Sequence, residues 1–295
     1  MTGPAIEYPP MGPGDRRRLR AFFLLAFAWT WLLWIPALWR SAVTGIPLPT
    51  IDQGLGAWGA LAGVDLALAV LFQLAVYGPA VAALAVLLGS GDRAALAAWA
   101  RSLVRLRVPG RWYLFVALAP VVLGLVVVAL GAVTGGGMPL WAAAPAASTV
   151  LLLFVTQTLT SGLEEPGWRG FALPRMQRHM TAERANWWLG LVWAAWHLPY
   201  VLYLYRDLPV WALPLTLAGF AMSIVAMGYV HAWVYNSTGS VALNVLLHGW
   251  ANVTNAIAAS VMVSPIVPLA TAGVTWAFVA WLLRRYGGAT LRATD

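Results

Sequence analysis

Two adjacent carboxylates, Glu164 and Glu165, close an apolar run in the stretch Ser161-Gly162-Leu163-Glu164-Glu165-Pro166-Gly167-Trp168-Arg169-Gly170. Further along, His197 stands in one apolar run, and His248 in another with Asn252 four residues on. Carboxylates, imidazoles and an amide, in a chain without cysteine, suit hydrolysis by an activated water. Glu164 could be the general base. His197 could position the water, or coordinate a divalent metal such as zinc jointly with Glu164 and His248. His248 and Asn252 could donate hydrogen bonds to the oxyanion that forms at a scissile carbonyl. Glu165 can pair with Arg169 in a supporting role. No organic cofactor is indicated.

Rival hydrolytic patterns are missing from the sequence. There is no His-Glu-x-x-His zinc helix and no Gly-x-Ser-x-Gly elbow. Ser161-Gly162 superficially matches a rhomboid-type serine, but Leu159 stands where that motif wants glycine. Paired intramembrane aspartates are also lacking.

These groups must be carried by membrane-spanning helices. Hydrophobic residues make up 61% of the 295, and charged residues 9%, against roughly a quarter in a soluble domain. A span needs about 20 apolar residues. That window selects residues 21–39, 64–88, 112–133, 142–163, 187–205, 210–235, 240–262 and 266–283, with Gly54 to Gly63 as an interfacial or re-entrant lead-in. The expectation is an all-α polytopic transmembrane bundle of about eight spans, in a cell (inner or plasma) membrane. It divides into a disordered tail at 1–15, one bundle at 16–286 with its motif core at 157–255, and a short tail at 287–295.

The net charge of +8 comes with 18 basic residues, all arginine. They sit in short clusters between apolar runs, which argues against a nucleic-acid partner and for membrane orientation. With a cytoplasmic N-terminus and eight spans, 16 of the 18 fall on the cytoplasmic side, leaving Arg40 and Arg206 outside. Both termini are then cytoplasmic. The arginine-, alanine- and tryptophan-rich composition suggests a high-GC bacterial genome.

Ionisable groups inside spans cost about 2.5–3.5 kcal/mol each on insertion scales, so each needs a reason. Pro166 disfavours helical geometry at Glu165 and suits a first helical position, so a break is expected with a fresh helix starting at Pro166. Neighbouring helical positions differ by about 100°, so the two carboxylates should not share a face; Glu165 then pairs with Arg169 and Glu164 looks inward. Asn244, His248, Asn252 and Asn255 form a polar stripe. The bland reading of such a stripe is hydrogen-bonding glue between helices. At about 1.5 Å per residue, His197 and His248 lie roughly 12–15 Å from the cytoplasmic end, the end towards which the Glu164 helix runs. His231 reads as a packing residue bordering the cavity, and Asp65 as a solvent-contacting residue at the outer end of its span.

Taken together, Glu164-Glu165-x-x-x-Arg169, an aromatic-x-x-x-His ending at His197, and His248-x-x-x-Asn252 resemble the CPBP family. This is the group of CAAX prenyl endopeptidases and bacteriocin-processing enzymes also called Abi proteins. Tyr77-Gly78-Pro79-Ala80-Val81-Ala82-Ala83 and Pro109-Gly110-Arg111-Trp112-Tyr113 look like its upstream segments. The resemblance implies an eight-helix metalloprotease-type bundle with a cytoplasm-facing cavity. Glu164 and His197 would activate water, His248 and Asn252 would form the oxyanion site, and Glu165 and Arg169 would support them. Trp193 departs from the phenylalanine often found there, a change that touches packing rather than catalysis. The implied function is intramembrane endoproteolysis of a membrane-associated or lipid-modified peptide or protein at the cytoplasmic face. A non-enzymatic scaffold or bacteriocin self-immunity protein is the alternative. A transporter is disfavoured because no repeated half with paired broken helices is visible. The sequence assigns no oligomeric state.

Overall fold

The computed structural model describes residues 13–50, 56–59, 61–133, 145–261 and 266–293. Helix follows helix throughout, and no strand occurs among the described residues. The elements are α1 (Pro13–Thr44), α2 (Gly63–Ala75), α3 (Gly78–Gly89), α4 (Arg93–Leu103), α5 (Gly110–Val133) and α6 (Ala147–Leu159). A segment of short mixed turns follows over 161–176. Then come α7 (Ala182–Trp196), α8 (Leu198–Leu204), α9 (Leu213–Thr238), α10 (Val241–Val261) and α11 (Ile266–Tyr286). This is an all-α membrane bundle, as the composition required.

Among the described residues, three helices are long and apolar enough to cross a bilayer: Gly14–Thr44, Gly110–Val133 and Val210–Thr238. The pair Gly63–Ala75 and Gly78–Gly89, bent by 60°, counts as a fourth if it forms one span. The other expected stretches also coincide with helices. These are interrupted, polar, or extend into residues that are not described; 142–144, at the start of one of them, are such residues. The expected lead-in contributes a single turn at Gly56–Gly59.

The bend between α2 and α3 has a local cause. Pro79 sits at the start of α3 and has no N–H to offer the carbonyl of Ala75, four residues back. Helix α1 supplies the missing donors: Thr30 Oγ1 donates to Ala75 O at 2.7 Å, Trp29 Nε1 to Leu74 O at 3.0 Å, and Trp34 Nε1 to Phe72 O at 3.1 Å. A Cβ on Gly78 would collide with Thr30 Oγ1, so glycine is what allows α1 this close. Asp65, expected to contact solvent, is partly exposed and also accepts from Arg40 Nε at 2.9 Å.

At the opposite end of α1, long-range polar contacts gather the arginine-rich segments. Arg18 pairs with Asp92 at 3.1 Å and Arg178 with Asp15 at 2.8 Å. Gln177 Nε2 donates to Asn236 Oδ1 at 3.1 Å, and Asn236 Nδ2 to Thr290 O at 2.9 Å. Four of the five sequence regions that these bonds join carry arginine clusters. Of the two expected tails, 1–12 and 294–295 lie outside the described residues. Asp15 already belongs to α1, and the carbonyls of Gly288 and Ala289 accept the N–H groups of Glu183 and Ala182 at the start of α7, both at 2.9 Å.

Candidate active site

The chain changes character at Thr160, whose dihedrals (φ −109°, ψ −94°) end α6. Ser161–Glu164 form a 3₁₀ turn, Glu165–Gly167 an α turn with Pro166 near its start, and Trp168–Ala172 a π turn. The fresh helical turn thus starts at Glu165, next to the expected Pro166, but the break itself comes earlier. Wide turns of the π type recur at functional sites because they redirect side chains that a regular helix would carry past one another. Every residue from Glu164 to Met176 is buried. Glu165 pairs with Arg169 and Glu164 looks inward, as the spacing led one to expect. Both point into protein, because the segment is enclosed and has no outer face.

Their partners differ. Glu164 Oε2 accepts from Trp193 Nε1 at 2.8 Å and from Trp168 Nε1 at 3.4 Å. Both indoles choose the same oxygen, which leaves Oε1 for a proton or a water. Glu165 Oε1 accepts from Arg169 Nη1 at 3.0 Å and bonds His248 Nδ1 at 2.8 Å. Arg169 is buried as well, and its guanidinium lies over the Trp193 ring, 4.3 Å from the centroid. A buried cation between a carboxylate and an aromatic face is the arrangement in which arginine tolerates loss of water.

Helix α10 delivers the polar stripe. Its residues are four apart and so share a face, and each meets a different element. Asn244 Oδ1 bonds His231 Nδ1 of α9 at 2.9 Å, His248 meets Glu165, and Asn252 Nδ2 donates to Gln157 Oε1 of α6 at 3.1 Å. The approach is close because two glycines permit it. A Cβ on Gly162 would sit 2.7 Å from Val245 O, and one on Gly249 would sit 2.7 Å from Thr158 N. Asn255 is half-buried on the same helix.

His197 sits where α7 gives way to α8, not inside one continuous helix. Pro199 follows within the first turn of α8 and cannot continue the ladder of α7. The His197 Nδ1 atom bonds Trp193 O at 2.8 Å, which fixes the ring by its own helix. The carbonyl of Trp196 accepts from Trp31 Nε1 of α1 at 3.0 Å. The His197 ring lies 5.8 Å from Trp193 and 5.6 Å from Phe220, centroid to centroid.

The expected metal set of Glu164, His197 and His248 is not the one that the fold assembles. Among the described residues, Glu164 and His197 do not belong to the group whose ligand atoms converge. Instead, Glu165, His231 and His248 bring one ligand atom each within 4.8 Å of one another. One carboxylate with two imidazoles is a donor set suited to zinc and neighbouring divalent ions. Glu165 Oε2 and His231 Nε2 are buried without a hydrogen-bond partner. These residues therefore fit a metal.

Two members of the site escaped the sequence reading. His231 was placed at the border of the cavity as packing; it is fully buried and its Nδ1 lies 3.8 Å from Glu165 Oε2. Trp193 was read as a packing variation, yet its ring is the common neighbour of the cluster. Besides holding Glu164 and Arg169, it lies 5.8, 6.3 and 5.7 Å from the His197, His231 and His248 rings. The aromatic four residues before His197 was visible in the sequence, and only its indole N–H distinguishes it from phenylalanine.

Fold and cluster define a class, a helical membrane protein that seals carboxylates, histidines and an arginine inside its bundle. Residues 146–254, the stretch that holds all three motifs, are similar to the family model described as type II CAAX prenyl endopeptidase Rce1-like. No curated protein matches the chain.

Proposed function

We propose that this protein is an intramembrane endopeptidase, hydrolysing peptide bonds of membrane-associated or lipid-modified peptides or proteins at the arginine-rich, cytoplasmic end of a cell membrane. One observation carries the reading: the buried Glu164 carboxylate is gripped at Oε2 by two indoles, and the proposal gives its Oε1 to the attacking water. A base held in that way pays no reorganisation when it takes a proton. His197, fixed by its Nδ1, presents its other ring nitrogen for positioning the water. His248 and Asn252, one turn apart on α10, face the oxyanion. Glu165 and Arg169 orient His248. A divalent ion, where bound, would supply a Lewis acid; the side chains fitted to hold it are Glu165, His231 and His248, and His248 would then serve the ion in place of the oxyanion.

An apolar groove of about 250 Å³ lined by Leu103, Leu106, Leu163, Pro166, Val241 and Leu246 runs beside the glutamate-bearing segment. Its lining suits an apolar stretch or lipid chain better than a polar peptide. The match to prenyl endopeptidases agrees with that.

The test compares peptide termini in membranes of cells carrying the wild type or Glu164→Gln. Termini present with the wild type should vanish with the variant, at equal protein level and equal thermal stability. Identical termini in both would overturn the proposal.

A further inference from the structure

The polar stripe of α10 changes character along its length. At the cytoplasmic end, where Ser240 Oγ donates to Arg105 O, Asn244 is fully buried and both ends of its amide are used. Its Nδ2 donates to Ser240 O at 3.0 Å and its Oδ1 meets His231 Nδ1 at 2.9 Å. That is hydrogen-bonding glue between helices. Beyond His248, towards the bilayer interior, Asn252 and Asn255 are half-buried. Asn252 Nδ2 donates to Gln157 Oε1 at 3.1 Å, an oxygen that also accepts from Ser161 Oγ at 3.2 Å. Among the described residues, no protein group meets Gln157 Nε2, Asn252 Oδ1 or either polar atom of Asn255, and none of these atoms is sealed from solvent. Turning both paired amides over leaves the same balance of one open donor and one open acceptor.

Depth and chemistry narrow what these groups can meet. From His248 to Asn255, α10 rises about 10 Å away from its cytoplasmic end. Gln157 lies beside Asn252 at that depth, on a helix that reaches the carboxylates only after it ends. Open polar groups there are unfavourable against lipid, and an acyl chain has nothing to offer them. Water answers them in the empty seam. A peptide main chain, which alternates N–H and C=O, replaces that water group for group. Asn252 can serve two partners at once: the second N–H of its Nδ2 goes to the oxyanion, and its Oδ1 takes an N–H of the substrate.

We infer that Gln157, Asn252 and Asn255 form a subsite that hydrogen-bonds the main chain of an extended substrate segment, on the bilayer side of the cleaved bond. The inference rests on the peptidase reading and adds to it the form that the substrate takes. A rise of about 10 Å matches about three residues of extended chain at about 3.3 Å each. That stretch lies unwound in the seam between α6 and α10, because a helix keeps its N–H and C=O groups for itself. A span that stays helical, or a lipid chain alone, leaves the amides unanswered. Gln157 has two tasks: its Nε2 meets a substrate carbonyl, and its Oε1 holds Asn252 in place. The bond from Ser161 to that oxygen can be lost while the one from Asn252 remains.

The experiment uses the full-length chain in mild detergent and a peptide found by terminus profiling. In a set of analogues, each main-chain amide near the cleaved bond is replaced in turn by an ester, which deletes one N–H. With the wild type, esters on one side of the bond, within about three residues of it, should raise KM by about 3- to 10-fold, the worth of one neutral hydrogen bond. Asn255→Leu, close to asparagine in size, should raise KM for the all-amide peptide by a similar factor and leave kcat nearly unchanged. The ester that meets Asn255 should then cost that variant nothing further. Gln157→Met should raise KM and also lower kcat, since it releases Asn252. An unchanged KM in both variants, or an ester pattern that is the same in Asn255→Leu as in the wild type, would overturn the subsite. Tryptophan fluorescence melts check that each variant is folded. Should neither variant fold, the ester set on the wild type decides alone: penalties on one side support the subsite, and esters tolerated throughout or penalised equally on both sides overturn it. Cleavage that tolerates every ester sinks this inference and leaves the peptidase reading standing, whereas a wild type that cleaves no peptide sinks both.

Discussion

Helix α6 and the segment that continues it are neighbours in sequence and opposites in structure. Not one residue of Ala147–Leu159 is buried, whereas every residue from Glu164 to Met176 is. The apolar part of the run faces outward, as lipid-facing surface should. The part that carries charge leaves regular helix and threads into the interior. The lesson is that in a bilayer the costly groups are not placed by amphipathic periodicity alone. The backbone abandons its regular form where those groups begin, and surrounding helices α3, α4, α7 and α10 close over it. Trp99 of α4, for instance, donates to the Pro166 carbonyl at 2.9 Å.

The contrast makes graded predictions. Arg169→Leu removes a buried cation and strands Glu165, so stability should fall by about 3–5 kcal/mol, read by thermal or detergent unfolding; a loss below that of a surface change would break the contrast. Trp193→Phe keeps the ring but deletes the N–H that holds Glu164 and should cost about 1–3 kcal/mol, with a fall in turnover larger than any change in apparent substrate affinity. Leu151→Ala on the outward face of α6 should stay within about 0.5 kcal/mol of the wild type. The smallest effect concerns Asp92 at the N-terminus of α4. Its carboxyl is held below the ordinary range by the Ala95 N–H and, after a partial offset from burial, by Arg18. A lowered carboxyl pKa stabilises the fold above the unfolded value and loses that contribution as pH falls through the folded one. The melting difference between wild type and Asp92→Asn should therefore be present at neutral pH and fade in acid; a difference that grows in acid would contradict it.

Much of this was legible in the sequence, for reasons that differ by residue. Apolar run length located the helices because a bilayer demands it. The i, i+4 spacing located the Glu165–Arg169 pair and put His248 and Asn252 on one face. Pro166 announced a break, but only the structure shows it starting at Thr160, since 3₁₀ and π turns follow from tertiary enclosure rather than local propensity. His231 was missed because a lone histidine in an apolar helix carries no periodic signal. Its role depends on Asn244 of another helix. Trp193 was misjudged because the resemblance ranked it by ring size, while its N–H became meaningful only when Glu164 was seen opposite it.

The central claim is that a water activated at Glu164, and no side-chain hydroxyl, attacks the peptide bond. Ser161 is the nearby rival; its hydroxyl is 3.2 Å from Gln157 Oε1 and turned to that amide. The most direct measurement is cleavage of one peptide found by terminus profiling, using purified Glu164→Gln and Ser161→Ala side by side. Glu164→Gln should lose about a hundredfold to ten-thousandfold in rate, while Ser161→Ala stays near the wild type. An inactive Ser161→Ala beside an active Glu164→Gln would contradict the account.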